Sequence, residues 1–463
     1  MADWIHQIHQ VVWGPWLLVL FLGTGLYLTV RSRGFQVRGI ALWMKSTAGT
    51  LLSGEGTGAG QEKISQIQTA CTALAATVGT GNIVGVATAL TAGGPGAVFW
   101  MWVSAMIGMM TAYGETWLGL RHRIRNREGR WLCGPMVTLR AGANLPVLAG
   151  AYSIFCVLAS LGMGSMVQAN SLAEAAEFAW GLPRELCGFL VVILTAAVIT
   201  GGTGRIARTA GRLVPWSAGV YLAASLAVLF LCRRQIPAVL GNIISAAFCP
   251  EGAARSLAGG AAGWGMKSAV QYGVARGVFS NEAGLGSLAI LHGTAEDGRP
   301  EIQGMWAVFE VFFDTILVCS VTALVILCAA SERGFPLENG ASLAARSFSE
   351  FLGKPGEYAA ALSMMLFAFA TIIAWYYMGR QAAEYLAGER RWTVLCYLAA
   401  YLSAAYLGCI ARLELVWELS DIVNGLMALP NLAAVLLLAG QIRYPSVKKD
   451  TCLGGQKRKA IGR

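Results

Sequence analysis

Charge is scarce in this chain. Lys, Arg, Asp and Glu together make up 13% of its 463 residues, about half the share of an average soluble domain, which argues against a soluble enzyme. Proline is also thin, with 13 residues against 57 glycines and no Gly-X-Y period, so collagen-like and Pro-rich linker classes fall away. A hydrophobic content of 56% removes disorder. The 11 cysteines are scattered and contain no C-x-x-C pair; they read as small buried apolar residues rather than a disulfide framework or a zinc site. Neither an H-E-x-x-H nor a G-x-S-x-G run occurs, so a nucleophile with its base is missing and no enzyme activity is expected.

Long apolar runs are what the chain does have. A membrane-crossing helix needs about 20 apolar residues, and about eleven segments qualify: 14–31, 68–92, 96–120, 146–169, 187–203, 212–232, 263–291, 304–330, 357–379, 392–411 and 417–440. The connections between them are short. We therefore read the sequence as an all-α polytopic membrane protein. Residues 1–10 carry Asp3 and no Lys or Arg, unlike the basic start of a secretory leader, so the first span is expected to be retained. Trp13, Trp16, Trp100, Trp102, Trp392 and Trp417 lie near span ends, where interface anchoring accounts for them.

The formal charge of +10 is distributed by side. With the N-terminus outside, the inner connections hold Arg31, Arg33, Arg38, Lys45 and Lys63, then the group from Arg121 to Arg140, then Arg205, Arg208 and Arg212. Arg380, Arg390, Arg391 and a basic tail from Arg443 to Arg463 fall on the same side. The outer connections are poorer in Lys and Arg. The positive-inside rule then places the N-terminus outside and the C-terminus in the cytoplasm of a plasma membrane protein. The bilayer is the partner this charge implies; no folded basic domain exists to bind nucleic acid.

Two spans are interrupted. In the second, Thr77-Val78-Gly79-Thr80-Gly81-Asn82 separates two apolar stretches, and each glycine weakens a helix by about 1 kcal/mol relative to alanine. In the seventh, Phe279-Ser280-Asn281-Glu282-Ala283-Gly284-Leu285-Gly286 does the same. Lipid cannot satisfy unwound backbone, so both breaks must face protein or a wet cavity. Five spans run from the first break and five from the second, the pattern of an inverted repeat with broken first helices. This divides the chain into 1–67, an extra N-terminal helix and its connection; 68–262 and 263–440, the two five-helix units; and 441–463, the basic tail. Free N–H groups at such breaks suit an anion and released carbonyls suit a cation, which fits a zwitterion travelling with a metal cation.

Charged residues within spans are candidates by default because their insertion costs about 2.5–3.5 kcal/mol. Glu282 is expected to pair with Arg276, holding or gating the second break. Glu310 and Asp314, four apart, share a helix face in a relay or a structural hydrogen-bonding role. Glu115 is expected near the cytoplasmic end of its span in an interfacial role, and His6 and His9 as exposed terminal residues.

At these motifs the sequence resembles the alanine or glycine:cation symporters, a branch of the transporters with the LeuT-type fold. The resemblance is carried by Ala75 to Ala87, Gly94 to Trp102, Tyr272 to Gly286 and Asp421 to Asn431, and extends over about residues 14–440. It implies sodium-coupled symport of a small neutral amino acid by alternating access, with one extra helix before the 5+5 core. Proton coupling, or a non-transporting receptor or channel of the same fold, is the alternative. The implied substrate contacts are backbone of Gly79, Thr80 and Gly81, with Asn82, Phe279, Ser280, Asn281, Ser165, Gln168, Thr371 and Trp375. The implied sodium ligands are carbonyls of Ala75, Val78 and Phe367 and the hydroxyl of Thr371. Where the family often has Ser followed by Thr, this chain has Ala370-Thr371, one hydroxyl fewer.

Overall fold

The computed structural model describes residues 2–53, 66–126, 129–249, 265–295, 298–333 and 340–446. Lys63, Arg127, Arg255 and the tail beyond Ser446 lie outside the described residues.

Among the described residues the fold is helical, apart from turns and connections and a two-stranded antiparallel hairpin that pairs Ile124 with Leu132 and Arg125 with Trp131. Its main helices are α1 (Ala2–Val12), α2 (Pro15–Arg31), α3 (Gln66–Thr77), α4 (Val84–Gly93), α5 (Gly96–His122), α6 (Pro146–Leu161), α7 (Gln168–Trp180), α8 (Arg184–Ile199), α9 (Gly202–Leu231), α10 (Met266–Asn281), α11 (Ser287–His292), α12 (Pro300–Val311), α13 (Ser320–Arg333), α14 (Ala341–Ala387), α15 (Arg391–Ile410) and α16 (Leu413–Leu438).

Among the described residues eight helices are long and apolar enough to cross a membrane, and the pair bent by 53° between Thr77 and Thr80 makes nine. The sequence reading of about eleven also counted two segments that form helices of 16 residues, α8 and α10, shorter than a full crossing of about 20. In α10 the chain leaves the helix at the second break. Helix α14 runs on past the expected 357–379, bending at Gly353 (φ 65°, ψ −155°) just ahead of Pro355.

Lipid-facing helices keep large apolar side chains outside: Trp216, Leu226 and Phe230 on α9 are more than half exposed. The broken helices instead lie within the protein. Helix α10 packs against α5 and α4, α3 against α9 and α14, and α6 against α14 and α16. Trp16 and Trp392 are exposed as interface anchors would be, but Trp13 and Trp417 are buried in these helix contacts.

Candidate functional site

The first break forms because Gly79 and Gly81 offer little resistance to unwinding and the surroundings take up the freed groups. Gly79 is extended (φ −132°, ψ −149°), and Thr80–Asn82 makes a single 3₁₀ turn before α4 begins. Asn82 folds back, its Oδ1 accepting the Gly79 N–H at 2.9 Å, and Gln168 Oε1 accepts the Thr80 N–H at 3.1 Å. The Thr80 hydroxyl is buried with no partner. A Cβ on Gly79 would stand 2.5 Å from Thr371 Oγ1, so only glycine permits this approach.

The second break is built from left-handed turns: Glu282 (φ 58°), Gly284 (φ 93°) and Gly286 (φ 78°). A non-glycine residue in that region is strained, and Glu282 is held there from both ends. Its carboxylate accepts Ser287 Oγ at 2.5 Å and Trp375 Nε1 at 2.8 Å. Its expected partner Arg276 is elsewhere, because six residues along α10 and a left-handed turn direct the two side chains apart. Arg276 instead forms a bidentate pair with Asp421, at 3.0 and 2.6 Å.

Glu115 is a second correction. It is buried, and its Oε2 accepts the N–H groups of Gly284 and Gly286 at 3.1 and 3.2 Å and Asn431 Nδ2 at 2.7 Å. Asn431 also donates to the Gly284 carbonyl and Tyr152 to the Leu285 carbonyl. The unwound groups that lipid would strand are thus satisfied by α5, α6 and α16. Glu115→Ala strips the Gly284 and Gly286 N–H groups of their acceptor and Asn431 of one of its two, and we expect a loss of about 3 kcal/mol, read as a lowered unfolding midpoint of the detergent-solubilised protein. Glu115→Gln, which keeps an acceptor oxygen, should recover most of it.

The two breaks touch. A Cβ on Gly81 would stand 3.0 Å from Ser280 Cα and 3.4 Å from Phe279 Cδ1. Asp314 ties them together: its carboxylate accepts Asn82 Nδ2 at 2.6 Å, Ser280 Oγ at 2.7 Å and Thr315 Oγ1 at 2.8 Å. Asn281 Nδ2 donates to Thr315 Oγ1 at 3.0 Å. Asp314 lies in a π-helical stretch, Phe312–Cys319, a geometry that recurs at functional sites. Glu310 has different company, His292 at 3.0 Å, so the two acids do not act as one relay pair.

Thr371 closes the other side. Its hydroxyl lies 2.8 Å from the Ala75 carbonyl and 3.0 Å from the Phe367 carbonyl, so three of the expected cation-ligating oxygens converge. No hydrogen bond brings Val78 into this group. Phe279 stacks on Trp417 with ring centroids 4.7 Å apart, and the sequence did not single out Trp417 as a wall. Ser165 is not brought in: its hydroxyl donates to the Tyr401 carbonyl at 3.1 Å. Trp375 reaches the second break through its hydrogen bond to Glu282.

Comparison with known proteins places this geometry. The pattern of the "Sodium:alanine symporter family" matches residues 1–449. The chain is 39% identical over 434 residues to an uncharacterized transporter of Haemophilus influenzae, covering 93% of this chain and 92% of that one. It is 39% identical to the sodium/alanine symporter AgcS of Methanococcus maripaludis, covering 95% of each chain, and 34% identical to the probable sodium/glutamine symporter GlnT of Bacillus subtilis, covering 96% and 89%. Among solved structures, that of MhsT in complex with L-phenylalanine superimposes with a TM-score of 0.56 at 14% identity, covering 82% of this chain and 89% of that chain. That likeness gives the fold, the LeuT type.

Proposed function

Because the chain belongs to the sodium:alanine symporter family, whose members are cation-coupled amino-acid transporters and not enzymes, we propose that it carries a small neutral amino acid, alanine or glycine first, into the cell together with sodium. The observation that supports this reading best is the meeting of the two breaks, where the oxygens of Thr371, Ala75 and Phe367 gather beside Gly79.

The substrate carboxylate takes the backbone N–H groups of Gly79, Thr80 and Gly81 and the free Thr80 hydroxyl. Gln168 Oε1, now on the Thr80 N–H, and Asn82 Oδ1, now on the Gly79 N–H, are the acceptors it displaces. Phe279 walls the side-chain pocket, and Ser280, Asn281 and Asn82 line it. The carboxylate of Asp314 supplies negative charge facing the ammonium group or the ion. Sodium, a hard cation, suits the neutral oxygens of Ala75, Val78, Phe367 and Thr371. Ser165 has no part here. On one side the Arg276–Asp421 pair closes over the Phe279–Trp417 stack. On the other, Glu282 and Trp375 hold the second break in shape while rocking of the core exposes the site alternately to the two faces.

Reconstituted in liposomes, the protein is expected to accumulate labelled alanine or glycine when sodium is supplied outside, and to lose that accumulation when potassium replaces it. Equal uptake without sodium and without a proton gradient removes ion coupling. Uptake driven by an inward proton gradient alone selects the proton-coupled alternative, and binding without accumulation selects a receptor.

A further inference from the structure

The extra N-terminal helix does more than flank the core. Helix α1 lies on α16: Trp13 Nε1 donates to the Asp421 carbonyl at 2.8 Å, and His6 Nδ1 lies 3.0 Å from Glu418 Oε1. A Cβ on Gly425 would stand 2.5 Å from Val12 Cγ1. His9 Nε2 reaches Asp421 Oδ2 at 3.3 Å, the same oxygen that Arg276 grips at 2.6 Å. His9 is 13% exposed and Asp421 5%, so water reaches the imidazole while the carboxylate stays enclosed. Arg276 in turn lies 4.9 Å above the Trp417 ring and 5.6 Å above that of Phe279, the stack that covers Gly81. A connected chain of contacts thus runs from α1 to the wall of the site.

We propose that His9 is a positioning residue for the Arg276–Asp421 pair and makes release of Arg276 depend on the proton concentration at the face of the membrane that carries α1. The inference rests on the transport reading above.

One carboxylate serves two donors from two helices. Trp13 fixes α1 to the Asp421 backbone, so α1 and α16 move as a unit, whereas Arg276 belongs to α10. Opening the site toward this face separates Arg276 from Asp421 and strands a buried anion, which opposes opening. Imidazole is the side chain whose charge ordinarily changes between about pH 5 and 8. A neutral His9 gives Asp421 an ordinary hydrogen bond. A protonated His9 gives it a charge-assisted one, neutralises the anion after Arg276 leaves, and repels Arg276 while it remains. Both effects favour the open form. The further titratable groups with hydrogen-bonding contacts between α1 and α16 are His6 and Glu418, which face each other. His6 sits between Gln10 Nε2 and Glu418, so its own protonation is met by Glu418 and leaves Asp421 to His9.

The test is the pH dependence of sodium-driven alanine uptake in liposomes, with pH set separately on the two faces; alanine keeps its zwitterionic charge throughout. Lowering pH from 7.5 to 5.5 on the α1 face is expected to lower KM about fivefold, and lowering it on the opposite face to leave KM unchanged. His9→Gln should flatten the dependence at the neutral-pH KM. His9→Lys, carrying a fixed charge, should show the acid KM at pH 7.5, and His6→Gln should keep the wild-type profile. A wild-type KM that responds only to the opposite face, or a dependence that survives in both His9→Gln and His9→Asn, overturns the role of His9. Uptake absent at every pH overturns the transport reading instead.

Discussion

Asp314→Ala is expected to reduce alanine uptake about 100-fold at equal amounts of inserted protein. The carboxylate receives donors from both breaks, Asn82 from the first and Ser280 from the second, and a third from Thr315. Hydrogen bonds to a charged group contribute about 1.5–3 kcal/mol each, and a buried donor left without its acceptor costs a further part of that. The losses are not additive, but ~3 kcal/mol at the binding geometry corresponds to a factor of about 100. The loss should fall on transport more than on folding, because Asn82 retains the Asp314 main-chain carbonyl at 3.1 Å as an acceptor while the register between the two breaks is released. Asp314→Asn keeps the shape and one acceptor, and the facing hydroxyls can rotate, so it should lose only about tenfold. Initial rates of labelled alanine uptake, normalised to protein in the membrane, provide the measurement. Wild-type rates in Asp314→Ala would mean that the breaks are aligned by something other than this carboxylate.

The positions of the breaks were legible because they contradict their own surroundings. Gly79, Gly81 and Asn82 interrupt an apolar run, and so do Ser280, Asn281, Glu282, Gly284 and Gly286; hydrocarbon tolerates neither interruption unless protein covers it. Local composition carries that signal. The convergence of Thr371 with Ala75 and Phe367 was reached only through the resemblance, since nothing near residue 371 refers to residue 75.

Pairing of the buried charges was not legible, and the reason is distance along the chain. Arg276 lies 145 residues from Asp421, Glu115 lies 169 from Gly284, and Asn82 lies 232 from Asp314. A reading confined to helix periodicity offers each charge company within a turn or two, pairing Glu282 with Arg276 and setting Glu310 and Asp314 on one helix face. A left-handed turn falls at Glu282, and Glu310 lies in α12 while Asp314 lies in the π-helical stretch that begins at Phe312. For the same reason His9 read as a terminal residue: its contact with Asp421 spans nearly the whole chain, 412 residues. The span count depended on a similar point, because a broken helix can be buried by its neighbours without either half being long enough to cross a bilayer.

Thr371→Ala is expected to raise the sodium concentration needed for half-maximal uptake about tenfold while leaving the rate at saturating sodium within a factor of about two, by removal of one oxygen ligand worth ~1.5 kcal/mol. The hydroxyl is the one side-chain oxygen in the proposed ion site; the others are main-chain carbonyls, which no substitution removes. In this chain residue 370 is alanine, so no neighbouring hydroxyl can take over, and the whole effect should appear in the single variant. Thr371→Ser restores the oxygen without the methyl group and should return the half-saturating concentration to within about threefold of wild type. The same pair of variants tests the ion's identity. If uptake is driven by protons, Thr371→Ala should leave the sodium response absent in both proteins and change little else, because a proton needs one basic oxygen rather than a cage of neutral ones. If sodium is the driver, the tenfold displacement should appear in sodium titrations at fixed pH and fixed alanine. It should shrink to about threefold or less in Thr371→Ser, and in Thr371→Ala it should persist when the alanine concentration is raised to saturation, since the lost ligand belongs to the ion and Gly79, Thr80 and Gly81 still hold the substrate.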